Sequence, residues 1–219
     1  MLPLVSIVLK VSATIFLALF PVVNPVGTAL ILSGMAGGVD PTVWKSMSRN
    51  IALYSFLVLL FFYLFGSLIL QLFGITIPVV QVSGGLVLAV MGWQMLNGSS
   101  GDSGSANGGV HDDTGATIVV KTFYPYTFPI TVGPGGLAVA MTFGAHVQRG
   151  TSMGIAERVG GITGTFAICV AVYVCYANLR YINKTIPPAA VKAMSKMLAF
   201  FVICIGVEIL WEGIQALKG

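Results

Sequence analysis

Charge is scarce in this chain. Asp, Glu, Lys and Arg together make up 8% of its 219 residues, where a soluble domain carries about 25%. So few charges cannot cover a surface in water. With 56% hydrophobic residues and a mean hydropathy of +0.93, the chain reads as an integral membrane protein. Histidine occurs twice and cysteine three times. Cys169, Cys175 and Cys204 lie in apolar segments at no metal-like spacing, which marks them as small apolar fillers rather than disulfide partners or metal ligands. His111-Asp112-Asp113 has ligand chemistry but stands in a glycine-rich stretch without partners. No HExxH, phosphate loop, nucleotide fingerprint or nucleophile–base pair is present, so the expectation is a non-enzyme with no cofactor and no bound metal. The net charge of +4 does not point to nucleic acid. The basic residues gather at the ends of apolar runs, where they act as a topology signal.

Each membrane crossing needs about 20 apolar residues. Six such spans fall at 13–36, 47–73, 76–97, 122–145, 157–179 and 193–216. The apolar residues before position 13 either extend the first helix or lie along the interface. Residues 1–11 lack a basic leader region and a small-residue cleavage site, so the first span is expected to insert and stay. Residues 98–121 are rich in Gly, Ser and Asp and read as a flexible linker. They divide the chain into a three-helix unit at 1–97 and a second at 122–219.

Proline interrupts the first span of each half. The first copy is Phe20-Pro21-Val22-Val23-Asn24-Pro25-Val26-Gly27 and the second is Phe128-Pro129-Ile130-Thr131-Val132-Gly133-Pro134-Gly135-Gly136. In lipid a helix must satisfy its own backbone, so a break at membrane depth survives only inside protein or against a water-filled cavity. A shift of 109 positions lays Asn24-Pro25-Val26-Gly27 on Gly133-Pro134-Gly135-Gly136 and Arg49 on Arg158. Near the ends, Gly92-Trp93-Gln94-Met95-Leu96 parallels Gly206-Val207-Glu208-Ile209-Leu210. Three spans per unit is an odd number, so the second copy enters from the opposite face. The fold expected is therefore an all-α membrane protein of six transmembrane helices in two inverted-topology repeats, the first helix of each being broken.

Proline is favoured in a first helical turn, so new half-helices are expected to begin at Pro25 and Pro134. Their leading amides, around Val26, Gly27 and Thr28 and around Gly135 and Gly136, would carry positive dipole character. Glycine lets a ligand approach the backbone closely. Two such ends suit a carboxylate or another small anionic group, and the carbonyls before them suit an ammonium group or a cation. Asn24, Thr28 and Thr131 are the side chains best placed to add hydrogen bonds. The alternative is a pair of purely structural kinks. Glu208 falls well inside the last span, where a carboxylate is costly and is expected to face the bundle interior. There it serves as a proton-coupling group or as a neutral residue bonded to Gln94. Arg49 and Arg158 read as anchors at span ends. Gly160-Xaa-Xaa-Xaa-Gly164 is a helix-packing face, within the protomer or in a homo-oligomer.

These paired motifs, with six spans and this length, resemble the MarC family, which includes the SnatA-type small neutral amino acid transporters. The resemblance covers nearly the whole chain. It implies ion-coupled movement of glycine, alanine or serine by alternating access, with Na⁺ or H⁺ as the coupling ion. Asn24, Pro25, Gly27 and Thr28 in one half and Thr131, Gly133, Pro134, Gly135 and Gly136 in the other would line the path. Export of another small metabolite and a non-transporting membrane scaffold are the rival readings. Lys196 stands where the resemblance leads one to expect a small residue.

Lys45, Arg49, Lys121, Arg180, Lys184, Lys192 and Lys196 lie on one side, and Lys10, Arg149, Arg158 and Lys218 on the other. The richer side should be cytoplasmic, which puts both termini outside a multi-pass protein of the cell membrane. A Lys218→Cys variant should therefore react with a membrane-impermeant maleimide on intact spheroplasts. Labelling only after lysis would reverse the orientation.

Overall fold

The computed structural model describes residues 2–35, 40–97, 122–147, 152–179, 181–182 and 187–218, and no strand occurs among them. The first half consists of α1 (Leu2–Val23), α2 (Pro25–Met35), α3 (Pro41–Leu72) and α4 (Ile77–Asn97). The second consists of α5 (Thr122–Thr131), α6 (Pro134–His146), α7 (Ser152–Ala177) and α8 (Pro188–Lys218). The stretch expected to be a linker, with His111-Asp112-Asp113, lies outside the described residues. The first helix starts at Leu2, so the apolar residues before position 13 extend it.

Five helical segments are long and apolar enough to cross a bilayer, the first running through the α1–α2 junction as Leu4–Leu30. The pair α5 and α6, bent by 70°, makes a sixth when taken as one span. Local chemistry sets several boundaries. Asp40 caps α3, its carboxylate accepting the Thr42 N–H at 2.8 Å, with Pro41 following in the first turn. The same helix ends on Gly74 at φ 67, a left-handed conformation open to glycine. Beyond it the Ile75 N–H reaches back to Leu70 O at 2.9 Å. Lys196 finds its role here: its Nζ donates to Leu96 O at 2.9 Å, closing the C-terminal end of α4.

The two halves interlock. Gly160 and Gly164 of α7 face Val8, Val11, Ser12 and Ile15 of α1 in the same order, so these helices run parallel. The small-residue face thus packs inside the protomer. Gly136 and Gly144 of α6 face Leu59 and Tyr63 of α3, and Gly66 of α3 faces Met141 of α6. Across the centre, α3 and α7 run antiparallel. Trp44 Nε1 donates to Tyr176 O at 2.8 Å, the Phe56 and Phe166 rings meet edge-on at 5.7 Å, and Tyr63 Oη donates to Glu157 O at 3.2 Å. The most extensive pairing is α4 with α8, also antiparallel: Gly85 lies on Gly206, Gly92 on Ala199, and Gly213 on Gln81.

Glycine sets the closeness of that last pair. A β-carbon on Gly85 would stand 2.5 Å from Gly206 O, and one on Gly206 would stand 2.6 Å from Ala89 N. Both obstacles are backbone and cannot turn aside. Gly206→Ala should therefore cost about 1–3 kcal/mol, the usual toll of overpacking, seen as a lower melting temperature in detergent. A variant that melts with the wild type would refute this packing.

Candidate functional site

The first break is one residue wide. Pro25 has no N–H to give back to the preceding turn, and Asn24 turns the chain at φ 45, the one positive value among the described non-glycine residues. Asparagine is the side chain that best tolerates this region, because its short amide bonds locally. Here Asn24 Oδ1 accepts the Gly27 N–H at 3.1 Å, and Asn24 O accepts the Thr28 N–H at 2.9 Å. Asn24 is thus the cap of α2. The expectation of free amides at Gly27 and Thr28 is corrected: both are already bonded to Asn24. Gly27 is required because a β-carbon there would run into the Asn24 amide.

The second break is wider and differently built. Helix α5 winds in wide turns, with Val132 N–H donating to Thr127 O at 2.8 Å, and Tyr124 and Phe128 leave helical geometry before Pro125 and Pro129. Helix α6 restarts at Pro134, as expected, but its capping residue Gly133 has no side chain to offer its first amides. Proline has no N–H, so Gly135 and Gly136 present the leading amides of that turn. Gly135 sits tightly, since a β-carbon would stand 2.5 Å from Leu88 Cδ2 and 3.3 Å from Val22 Cγ1. Val22 lies just before the first break, so the two interruptions adjoin. Gly136 has more room, since a β-carbon there would stand 3.7 Å from Val132 Cγ1 and 3.8 Å from Leu59 Cδ2. Asn24, Pro25, Thr28, Thr131, Gly135 and Gly136 are buried, Gly27 and Gly133 are half-buried, and Pro134 is exposed.

A residue that the sequence reading missed joins the breaks. Tyr176 of α7 is fully buried. Its Oη donates to Thr28 Oγ1 at 2.9 Å and lies 2.8 Å from Thr131 Oγ1. Thr28 Oγ1 in turn donates to Asn24 O at 2.9 Å, and Thr131 Oγ1 to Tyr126 O at 2.7 Å. Thr28 and Thr131, from opposite halves, therefore meet through one phenol. The available signal was a tyrosine, with Tyr173 one turn before it, at the end of an apolar run, because a buried tyrosine hydroxyl needs a partner.

Glu208 is placed otherwise than expected. It faces outward on α8 rather than into the bundle. Since Gly85 lies on Gly206 and Leu210, Glu208 is level with the middle of α4. Gln94, also exposed, is nine residues further along α4, roughly 13 Å at about 1.5 Å per residue, out of hydrogen-bond reach. The pairing of amide and acid falls instead to Gln81 and Glu212, with Gln81 Nε2 donating to Glu212 Oε2 at 3.4 Å. Glycine determines this outcome: the close α4–α8 seam takes up the Gly85, Gly92 and Gly206 faces and leaves Glu208 outside. Arg49 and Arg158 are exposed, and Arg158 lines a small pocket with Tyr63, Leu64, Ser67, Gly144 and Val147. Among the described residues no group of three or more His, Cys, Asp or Glu side chains is gathered for a metal.

Together these features define a polytopic helical membrane protein whose first span in each half is interrupted, with the interruptions packed together in the interior. A model of the MarC family of integral membrane proteins matches residues 9–217, and the chain belongs to that family. Among curated proteins it is similar to the inner membrane protein MarC of Escherichia coli (strain E24377A), with 26% identity over 204 residues and 90% of each chain covered. It is also similar to the protein of the same name from Salmonella arizonae, with 27% identity over 202 residues and the same coverage. No solved structure matches.

The capping role of Asn24 gives an order of stabilities. Asn24→Ala loses both the cap and an easy positive φ and should cost about 1–2 kcal/mol. Asn24→Gly keeps the backbone geometry and should lose only about a few tenths. Thermal melts should rank wild type, then Asn24→Gly, then Asn24→Ala; a reversed order of the variants would contradict the assignment.

Proposed function

We propose that this protein is a secondary transporter of small neutral amino acids, with glycine, alanine and serine as substrates, built from two inverted three-helix repeats. The observation that carries the reading is the meeting of two proline–glycine helix starts, one from each half, in the interior of a MarC family chain. The repeat reading draws support from the way pairings exchange. Swapping the halves turns the α1–α7 contact into the α3–α5 contact and the α2–α7 contact into the α3–α6 contact, and returns α3–α7 and α4–α8 to themselves. Such a molecule carries its substrate at the repeat interface and opens to each side in turn.

The asymmetry of the breaks assigns the substrate's groups. The carboxylate goes to the Gly135 and Gly136 amides at the uncapped start of α6, where peptide dipoles favour negative charge. The ammonium group goes to the oxygen-rich first break, where Val23, Asn24 and Pro25 carbonyls lie within 3.5 Å of Thr28 Oγ1. The tight fit of Gly135 against Leu88 and Val22 leaves little space for a long side chain. Na⁺ or H⁺ would supply the driving gradient. The outward position of Glu208 removes the reason for giving it the coupling role.

Uptake of labelled glycine into proteoliposomes, with imposed Na⁺ or H⁺ gradients, tests the proposal. Gradient-dependent uptake by the wild type is expected. Gly136→Ala, whose methyl meets only ordinary contacts within the protein, keeps the amide N–H but crowds the carboxylate beside it, and should raise KM about tenfold by weakening one bond to a charged group, ~1.5 kcal/mol. No flux of glycine, alanine or serine from stable protein would sink the reading and favour another metabolite or a scaffold.

A further inference from the structure

We infer that Tyr176 is a positioning residue that ties the two helix breaks together as one switchable unit. The tie is a row of oxygens: Asn24 O, Thr28 Oγ1, Tyr176 Oη, Thr131 Oγ1 and Tyr126 O, with successive separations of 2.9, 2.9, 2.8 and 2.7 Å. Both ends are carbonyls, which only accept, and the middle three are hydroxyls with one proton each. Three protons therefore serve four contacts. Among the described residues no N–H donates to any of these hydroxyls.

One contact in the row is always without a proton, and its position is free to move. If Thr28 and Thr131 both donate to their own carbonyls, the single Tyr176 proton holds one threonine and releases the other. If one threonine turns its proton toward Tyr176, the row closes through both hydroxyl pairs and the missing bond shifts to a terminal carbonyl. The arrangements differ only by hydroxyl rotation, so they lie close in energy, and each binds a different break most weakly. Burial magnifies the difference between a made and an unmade bond: Thr28, Tyr176 and Thr131 are 8%, 0% and 1% exposed.

The rest of Tyr176 is fixed. Its carbonyl takes the Trp44 Nε1–H at 2.8 Å, which anchors this end of α7 to α3. The phenol is thus a rigid arm with a mobile proton, reaching α2 of one half and α5 of the other. A ligand donor arriving at a terminal carbonyl would take over that acceptor and leave all three hydroxyl protons for the remaining contacts. The row would then be complete, and both breaks would be held at once. This consequence rests on the transport reading; the tie between the breaks does not.

Two measurements separate them. Amide hydrogen exchange on the purified protein should show residues 126–137 exchanging about two- to fivefold slower in Thr28→Val, where the Tyr176 proton is always free for Thr131, and residues 24–30 likewise slower in Thr131→Val, each mutation acting on the opposite half. Tyr176→Phe should speed exchange in both segments and leave the α4–α8 seam unchanged. Effects confined to the mutated half would overturn the tie, whatever the protein transports. In proteoliposomes, Tyr176→Phe should lower the maximal glycine rate at least about tenfold with KM within about threefold, as expected of a coupling step. Adding Thr131→Val to it should cost nothing more. An unchanged maximal rate, or losses that multiply, would overturn the switching role. If the wild type carries no glycine, alanine or serine, the transport reading fails while exchange still decides the tie.

Discussion

A bilayer offers no water to a broken helix, and everything in this fold follows from where two broken helices put their backbone. An unmade backbone hydrogen bond in hydrocarbon costs several kcal/mol, so the interruptions at Asn24 and Val132-Gly133 survive only in the interior. The surrounding helices supply that shelter. Helix α7 covers α1 through Gly160 and Gly164, α3 covers α6, and Leu88 of α4 closes over the start of α6. Within the shelter, Asn24 and three hydroxyls take up the freed groups.

The two breaks solve the same problem unequally. The first uses a side chain: Asn24 turns the chain and caps the new helix, leaving its carbonyls crowded around Thr28. The second uses glycine, which turns the chain but caps nothing, so the leading amides of α6 keep their polarity. One end is rich in acceptors and the other in donors. An amino acid zwitterion has the matching pair of charged groups, which is why the proposal prefers this substrate class over a simple anion or cation.

The sequence declared the helices and both breaks, because long apolar runs and proline act locally and leave a direct mark. The half-helix starts at Pro25 and Pro134 were legible for that reason, as was the packing role of Gly160 and Gly164. What was not legible depended on which way a helix faces. Helix α8 is apolar almost all round, so its pattern gave no hint that Glu208 would turn outward while Glu212 met Gln81. Asn24 was recognised as important, but its cap on Gly27 needed the backbone turn to be known. Tyr176 lies 148 residues from Thr28 and 45 from Thr131, a juxtaposition that only the tertiary fold creates.

If a small zwitterion bridges these ends, it must stabilise the folded protein by mass action, by about 2.7 kcal/mol at a hundred times its dissociation constant. The most direct measurement is the thermal unfolding of the purified protein with glycine, alanine, serine, leucine or propionate added in turn. A rise in melting temperature with the first three and none with leucine or propionate is the predicted result. No shift with any of them, or an equal shift with all five, would contradict a small amino acid site at the two breaks.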